Sequence, residues 1–345
     1  MKAVLFCGQP YAFDIMRSLY LQLEKQGYET LWYFNKKVEQ YFPFDKNKVQ
    51  YTTTIDDLIT FKADVNFAPG NVIPHYIPGV KVQIFHGLAG EKSGHFHIRH
   101  YFDLYLTQGP YFTERFLQLK SKYKNFEVKE TGWCKLDSLF TPDESKENLI
   151  PKGFKHVLLY SPTFSPSLTS ATKFIKSIFE LAQNQDYFIY IKFHDKMDKF
   201  VAKEYQDFAD TKNNVVVYDD TNIKPLLQQC DLMISDTSSV VYEFLLLDKP
   251  VVTFNSTSKN IRWEDINTGE KLKDAVDSNL NQDPFKDERK WFYDNYHPFN
   301  DGNSASRMIA AAEDYIKDFG VPNQRKLPFL RRRKMYKLFG KPSKK

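Results

Sequence analysis

Short apolar runs alternate with amphipathic stretches along most of the chain. In the first half, the apolar runs predict strands at 2–7, 28–34, 64–68, 81–85, 103–106 and 126–129. Helical spacing predicts helices at 13–25, near 111–120 and near 134–139. After a polar, proline-containing segment at 141–153, strands are predicted at 156–160, 187–193, 214–218, 231–235 and 250–254. The helices predicted between them lie at about 171–184, 197–209, 222–229 and 238–247.

This alternation predicts an α/β protein of two Rossmann-like domains, because strands separated by helices form parallel sheets with helices on both faces. With 345 residues, the chain is long enough for two such domains. We expect an N-terminal domain at 1–145, a C-terminal domain at 146–320 and a tail at 321–345. The domains are expected to face each other across a cleft, since open α/β sheets bind ligands beyond the carboxyl ends of their strands.

The composition favours a globular protein in a reducing compartment. Cys7, Cys134 and Cys230 are widely spaced and form no CxxC pair, which argues against a disulfide framework and a zinc site. The apolar run at the N-terminus is too short for a signal peptide, and no run of about 18 apolar residues occurs. We therefore expect a cytoplasmic protein without a membrane-spanning segment.

The excess positive charge lies entirely at the C-terminal end. Residues 325–345 contain ten Lys or Arg and no acid, whereas the rest of the chain has 38 basic and 43 acidic residues. Leu330, Met335, Leu338 and Phe339 are interspersed among the cations. This mixture predicts contact with an anionic membrane surface. A solvated tail or a nucleic-acid contact is the alternative.

The segment 230–254 (CDLMISDTSSVVYEFLLLDKPVVTF) predicts a buried strand, a polar turn, a helix and a second buried strand. At the start of a helix, free backbone N–H groups and the helix dipole favour a bound phosphate. The polar residues placed there are Ser235, Asp236, Thr237, Ser238 and Ser239. An ordinary N-cap is the alternative. Glu243 follows Ser239 by four residues and is a candidate to accept hydrogen bonds from ligand hydroxyls, or else an exposed helix glutamate.

A second candidate site lies in IFHGLAGEKSGHF, residues 84–96. His86 directly follows a predicted strand, where an imidazole is well placed for proton transfer. Gly87 and Gly90 would let a substrate approach the backbone closely. Glu91 interrupts the GxxxxGK[ST] phosphate-loop pattern, and GQPYAF after the first strand does not match the dinucleotide fingerprint. The alternative is a loop histidine without a special role.

Three further histidines form an HxHxxH pattern at His95, His97 and His100. On a helix, the last two would share a face and the first would not, and no carboxylate lies among them. We therefore expect no metal site. With Arg99, these histidines are interpreted as a positive rim for an anionic substrate.

Two more residues are candidates for phosphate contact. His194 follows the predicted strand of IYIKFHDK and could donate a hydrogen bond to a phosphate or protonate a leaving group. Arg307 lies in the first turns of a helix predicted to begin at Asn303 or Ser304, where a guanidinium would suit bidentate phosphate binding. A strand-end histidine without a special role and a surface arginine are the alternatives.

Together these motifs resemble the CDP-glycerol glycerophosphotransferase family of teichoic-acid-type polymer synthesis, whose catalytic domains are GT-B-like. The motifs are His86-Gly87, Ser161-Pro162-Thr163, Lys192-Phe193-His194, residues 235–239 with Glu243, and DGNSASR at 301–307. The resemblance covers roughly residues 80–310. It differs from the family pattern HGxPLK after Gly87, where Lys92 is a candidate for the family's lysine one position later. Glu243 also stands where Asp is common.

The resemblance implies a transferase that moves a polyol phosphate from a CDP-alcohol to an acceptor hydroxyl and releases CMP. His86 would be the general base, and His194, Ser238, Ser239 and Arg307 would lie at the donor diphosphate. The N-terminal domain would serve the acceptor and the C-terminal domain the donor. No cofactor is implied, since CDP-glycerol or CDP-ribitol is a co-substrate. The acceptor would be lipid-linked or a polysaccharide, reached from the inner face of the cell membrane.

Two rival functions remain open from the sequence. A glycosyltransferase with the same GT-B-like fold would bind a nucleotide-sugar diphosphate in a similar way but transfer a sugar. A non-catalytic protein that binds nucleic acid through the basic tail is the other rival. The acidic body of the chain argues against nucleic acid as a partner.

Overall fold

The computed structural model describes residues 1–88, 93–141, 148–220 and 222–342, and it divides into two compact units. The first unit contains residues 1–142 and 295–345, and the second contains residues 143–294. The structure therefore corrects the prediction that residues 295–320 belong to the second domain. The helix Ser304–Phe319 buries its apolar side, including Met308 and Ile309, against elements of the first unit.

Seven parallel strands form the sheet of the first unit. In chain order they are β1 (Lys2–Cys7), β2 (Glu29–Phe34), β3 (Tyr51–Thr52), β4 (Val65–Ala68), β5 (Val80–Gln83), β6 (Leu104–Thr107) and β7 (Glu127–Glu130). Their order across the sheet is β3-β2-β1-β4-β5-β6-β7. The helices in this part of the chain are α1 (Tyr11–Lys25), α2 (Ile55–Phe61), α3 (Pro110–Tyr123) and α4 (Asp137–Phe140).

Six parallel strands form the sheet of the second unit, in the order β10-β9-β8-β11-β12-β13. They are β8 (His156–Tyr160), β9 (Tyr187–Ile191), β10 (Val215–Val217), β11 (Leu232–Ser235), β12 (Val251–Phe254) and β13 (Glu264–Ile266). The helices here are α5 (Ile175–Leu181), α6 (Lys199–Ala209), α7 (Lys224–Gln229), α8 (Val240–Leu245) and α9 (Leu272–Asn281). The chain then continues through α10 (Lys286–Tyr296), α11 (Ser304–Phe319) and α12 (Phe329–Phe339).

Both sheets have the strand order of a Rossmann fold, which confirms the predicted fold class. In each sheet the order reverses next to its first strand, between β1 and β4 in the first unit and between β8 and β11 in the second. In open α/β sheets, ligands bind at such reversal points, beyond the carboxyl ends of the strands. The short strands β3 and β13 were not predicted, because two or three residues carry too little apolar pattern.

The basic tail is a helix that packs on the first unit rather than a separate segment. Met335 of α12 is completely buried in the apolar core of that unit. The hydroxyl of Tyr76 donates to the carbonyl of Gly340 at 2.6 Å. Arg325 forms an ion pair with Asp103, which is itself buried. The tail therefore has an inner, anchored side as well as an outer side.

Candidate active site

The chain turns sharply after β5 and exposes His86. Phe85 has a left-handed backbone with φ of 61°, which is unusual for a residue other than glycine. The ring of Phe85 is buried and stacks on the ring of His95 with 5.0 Å between their centroids. Because Phe85 is held inside, the reversed backbone directs His86 outward. Strain of this kind is commonly found at functional sites.

The hydrogen bond of His86 fixes which ring nitrogen carries the proton. Nδ1 lies 2.9 Å from the carbonyl oxygen of Pro69. A carbonyl can only accept, so Nδ1 is protonated, and in the neutral ring Nε2 carries the lone pair. The buried Gln83 side chain donates to the same carbonyl at 3.0 Å. His86 is therefore presented in the tautomer that a general base requires.

The loop after His86 is described only at its start. The side-chain amide of Gln108 donates to the carbonyl of Gly87 at 3.1 Å, which holds the backbone beside the histidine. The other predicted acceptor-loop residues, Gly90 and Lys92, lie outside the described residues. The ring of Tyr11 lies 5.5 Å from the ring of His86.

The three histidines of the HxHxxH pattern point to different partners. His95 stacks on Phe85, while His97 and His100 lie 3.2 Å from Arg331 and 3.1 Å from Asn125, respectively. In the described part of the chain, no group of three His, Cys, Asp or Glu side chains could hold a metal ion. Desolvation and nearby arginines lower the pKa values of His97 and His100, so both are neutral at pH 7.

In the second unit, Ser235 and Asp236 support the loop that follows β8. The hydroxyl of Ser235 donates to the carbonyl of Ser161 at 2.6 Å. The Asp236 carboxylate accepts from the backbone N–H groups of Thr163 and Ser170, at 3.0 and 2.8 Å, and from the Ser170 hydroxyl at 2.9 Å. Both side chains are buried, and burial raises the pKa of Asp236 while these hydrogen bonds oppose the rise. Their contacts belong to the protein, although the sequence assigned both to the phosphate.

The following residues are more accessible. Thr237 Oγ1 accepts from the backbone N–H of Thr257 at 3.0 Å, so it joins two loops at the ends of β11 and β12. Ser238 is partly exposed and Ser239 is exposed. Ser239 is the N-cap of α8 and makes no side-chain capping bond. Asp236 and Thr237, the caps of the ordinary N-cap alternative, bond to neighbouring loops, and the exposed Ser239 is compatible with either interpretation. Glu243 lies on the first turn of α8 and is partly exposed.

His194 lies beyond β9 and has the opposite hydrogen-bond pattern to His86. The backbone N–H of Lys196 donates to its Nδ1 at 3.1 Å. The lone pair is therefore on Nδ1, and the neutral ring carries its proton on Nε2. Desolvation lowers the pKa of His194, the charges of Lys196 and Lys192 lower it further, and Asp195 opposes them. His194 is thus a neutral N–H donor at pH 7.

The aromatic ring of Phe164 supports His194. The two ring centroids are 4.5 Å apart, and Phe164 belongs to the loop that Asp236 holds in place. The buried Lys192 side chain donates to the carbonyl of Phe193 at 2.9 Å, which steadies the strand end. The motifs after β8, β9 and β11 thus form one supported group within the second unit.

Arg307 belongs to the first unit, whereas residues 235–239 belong to the second. Its guanidinium makes a bidentate pair with Asp301, at 2.8 and 3.1 Å, and its Nε donates to the carbonyl of Thr131 at 2.9 Å. The hydrogen bond from Arg307 lowers the pKa of Asp301 to about 2. Arg307 also lies over the ring of Phe299. In this structure it joins the start of α11 to the rest of the first unit.

Sequence reasoning missed two side chains that support the candidate site residues: Gln83, which bonds to the Pro69 carbonyl, and Asp137, which bonds to the start of α11. Gln83 is a fully buried polar residue at the end of β5, between the apolar Val82 and Ile84, and that position could have marked it. The role of Asp137 is harder to predict from the sequence. Its carboxylate accepts from the backbone N–H groups of Ser304 and Ala305, at 2.8 and 2.7 Å. It thereby caps α11 from a distant part of the chain, which spacing alone does not reveal.

Comparison with known proteins agrees with these motifs. Residues 9–260 match the family model described as CDP-Glycerol:Poly(glycerophosphate) glycerophosphotransferase, which covers more than half of the chain. The chain belongs to this family. The family resemblance inferred from the sequence is therefore confirmed, and with it the expectation of an enzyme.

A curated relative is the teichoic acid glycerol-phosphate primase of Bacillus subtilis (strain 168), 24% identical over 213 residues. The match covers 56% of this chain and 54% of the relative, so the chain spans about half the length of that protein.

Within the described residues, no helix combines the length and apolar character needed to cross a membrane.

Solved structures support the fold. The wall teichoic acid polymerase TagF is similar with a TM-score of 0.63 and 15% identity, over 92% of this chain and 89% of that one. A structure of S. aureus MnaA with UDP is similar with a TM-score of 0.67 and 14% identity, over 92% and 97% of the two chains. At such low identity, these likenesses show a shared GT-B-like fold.

Proposed function

We propose that this family member transfers a polyol phosphate, such as glycerol phosphate, from a CDP-alcohol to a hydroxyl of a lipid-linked or glycan acceptor. The reaction releases CMP and extends or primes a cell-surface polymer. The observation that carries the proposal is the tautomer of His86, an exposed residue whose Nδ1 is held by the Pro69 carbonyl, so that Nε2 of the neutral ring carries the lone pair. The family match and its curated primase relative support the donor class.

In the proposed reaction, Nε2 of His86 takes the proton from the acceptor hydroxyl. The resulting oxygen nucleophile attacks the β-phosphorus of the donor, the bond from that phosphorus to the bridging oxygen breaks, and CMP leaves with the electron pair. The protein's contribution is to position these groups and to stabilise the charge on the phosphoryl oxygens.

The donor diphosphate is assigned to the second unit. His194 offers a neutral Nε2–H, and the accessible hydroxyls of Ser238 and Ser239 lie at the start of α8. Ser235, Asp236 and Thr237 hold the neighbouring loops after β8 and β12 through hydrogen bonds to Ser161, Thr163 and Thr257. Glu243 is proposed to accept hydrogen bonds from the hydroxyls of the transferred alcohol. Arg307, which the sequence assigned to the same diphosphate, is paired with Asp301 in the first unit, and its contact with the donor stays a prediction.

The donor class can be tested directly by incubating the protein with CDP-glycerol, CDP-ribitol and UDP-sugars. The proposal expects CMP from one or both CDP-alcohols. UDP release from a UDP-sugar, with no CMP from either CDP-alcohol, would contradict it and would support a glycosyltransferase instead.

We also propose that the protein acts at the inner face of the cell membrane, with the outer side of α12 against anionic lipid. That side combines exposed Phe329 and Leu330 with the exposed cations Arg332, Arg333, Lys334 and Lys337. Cations near an anionic surface each contribute about 1 kcal/mol, and apolar side chains add to this by entering the interface. The buried Met335 on the inner side would hold the helix in place.

Deletion of residues 325–345 would remove Met335 and Arg325, which pack within the first unit, so substitution gives a clearer test. Changing Arg332, Arg333, Lys334 and Lys337 together to Gln should release the protein from phosphatidylglycerol vesicles in a sedimentation assay. A matched control changes four other exposed lysines of the first unit to Gln: Lys36, Lys37, Lys48 and Lys122. Equal loss of sedimentation in both variants would show that net charge, rather than this surface, drives binding.

A further inference from the structure

A cavity of about 510 Å³ opens at the carboxyl edge of the first sheet, and neither the family motifs nor the proposed chemistry uses it. Its lining includes Gln9, Asn35 and Thr53, which follow β1, β2 and β3, and Asn71, which follows β4. The cavity therefore lies at the reversal point between β1 and β4, where open α/β sheets bind ligands. Its volume falls within the range of about 300–1,000 Å³ that is typical of small-molecule sites.

The polar groups of this cavity are uncharged. Gln9, Asn35 and Asn71 supply amides and Thr53 a hydroxyl, and none of the described lining residues is Asp, Glu, His, Lys or Arg. The Oδ1 of Asn35 accepts from the backbone N–H of Lys37 at 3.0 Å, which fixes the orientation of that amide. Amides both donate and accept, so they match hydroxyl groups, which do the same.

The start of α1 beside the cavity is poorly suited to a phosphate. Its N-cap is Pro10, which has no backbone N–H, and its first turn contains Asp14. A carboxylate in the first turn offsets the positive end of the helix dipole, which would otherwise attract an anion. The expected ligand is therefore a neutral one.

Aromatic faces line the apolar part of the cavity. The ring of Phe6 stacks on that of Tyr33 with centroids 4.5 Å apart, and the ring of Phe339 meets Phe6 edge-on at 5.7 Å. All three residues line the cavity. The faces of Phe6 and Tyr33 are buried against each other, whereas the ring of Tyr11, which also lines the cavity, is 45% exposed. An exposed aromatic face beside a few amides suits a ring that carries hydroxyls on its edges and C–H groups on its faces.

The cavity adjoins His86 and the tail helix. Tyr11 lines it and lies 5.5 Å from the ring of His86, and Asn71 follows closely after Pro69, whose carbonyl holds that histidine. Leu338 and Phe339 of α12 form another part of the wall. A ligand bound here would therefore contact both the surroundings of the proposed base and the tail.

We propose that this cavity binds an uncharged, hydroxyl-rich ring, namely a sugar residue of the acceptor, with the last turn of α12 as one wall. The inference rests on the proposed function, because it names the chemical class of the group that His86 would deprotonate. The phosphate groups of a lipid-linked acceptor would then lie outside the cavity, and the sugar inside it.

Binding of methyl β-glucoside and methyl β-cellobioside, followed by saturation-transfer NMR, tests the proposal, with glycerol 3-phosphate as the anionic probe. We expect a neutral glycoside to bind more tightly than glycerol 3-phosphate. The double variant Gln9→Ala with Asn71→Ala should weaken glycoside binding by about tenfold, because each lost hydrogen bond costs severalfold. The matched control Asn47→Ala, an exposed asparagine of the same unit, should bind as the unchanged protein does.

Tighter binding of glycerol 3-phosphate, no glycoside binding, or equal binding by the double variant would each overturn the proposal. CMP release from CDP-alcohols by the same preparation tests the proposed function separately. CMP release without glycoside binding would contradict the proposed sugar site but support the proposed transferase function. Amide-dependent glycoside binding without CMP release from any CDP-alcohol would retain the site and contradict the transferase.

Discussion

The two units each present a histidine beyond a buried parallel strand, yet the two rings carry their protons on opposite nitrogens. His86 donates from Nδ1 to the carbonyl of Pro69, which leaves a lone pair on Nε2. His194 accepts at Nδ1 from the backbone N–H of Lys196, which leaves a proton on Nε2. One ring can take a proton from a ligand, and the other can donate a hydrogen bond to one.

The comparison shows that the backbone partner of a strand-end histidine decides which ring nitrogen carries the proton. Both histidines follow apolar strands and both are exposed, so the sequence signal is the same for each. The difference arises from how the following or neighbouring loop folds back. At His86 the partner comes from the loop after β4, and at His194 it comes from the turn two residues later.

The largest expected effect comes from His86→Gln. Glutamine keeps a polar side chain of similar reach but cannot accept a proton, so CMP release in the presence of acceptor should fall by about 10³-fold. Calorimetric titration with CDP-glycerol should give nearly unchanged donor affinity, because His86 is assigned to the acceptor. Near-normal turnover in this variant would contradict the general-base role of His86, and with it the proposed difference in function between His86 and His194.

A smaller effect, on stability, is expected from Asp236→Ala. Asp236 holds the loop that carries Phe164 against His194, and its loss leaves the buried N–H groups of Thr163 and Ser170 without their acceptor. We expect the free energy of unfolding to fall by about 3 kcal/mol, measured by urea denaturation. The control Asp186→Ala removes an exposed carboxylate of the same unit. If both variants lose the same stability, the supporting role of Asp236 is wrong.

The two histidines can next be distinguished by substituting His194 with Ala and with Gln. Alanine should weaken CDP-glycerol binding by about tenfold, because one hydrogen bond to a charged phosphate is lost. Glutamine restores an N–H donor near the position of Nε2 and should recover most of that affinity. Recovery of donor affinity by His194→Gln, together with loss of turnover in His86→Gln, would support a hydrogen-bond donor at 194 and a proton acceptor at 86. Equal turnover loss in both Gln variants would indicate proton transfer at both sites.

The smallest expected effect is on the pH dependence of donor binding. The pKa of His194 lies below its ordinary value in the free protein, and a neighbouring diphosphate would raise it. The complex would then bind more protons than the free protein, so donor affinity should rise, by roughly threefold, as the pH falls from about 7 to about 5.5. The His194→Gln variant should lack this rise. The same rise in that variant would assign the titration to another group.

The sequence predicted the two parallel sheets because strand and helix periods alternate strongly, and the strand-end residues His86 and His194 followed from the sheets. It could not predict the tautomers, since Pro69 reaches His86 only through the tertiary fold. The sequence also placed residues 295–320 in the wrong domain, because the residues of α11 themselves give no indication that the distant Asp137 caps this helix. In the same way, the basic charge of the tail gave no indication that Met335 is buried and anchors the tail to the first unit.

The position of the ring protons tests the account most directly. Long-range ¹H–¹⁵N NMR on histidine-labelled protein distinguishes protonated from unprotonated ring nitrogens, and the His86→Gln and His194→Gln variants assign the two rings. The account predicts that the neutral ring of His86 carries its proton on Nδ1 and that the neutral ring of His194 carries its proton on Nε2. A neutral His86 ring with its proton on Nε2 would contradict its role as the base.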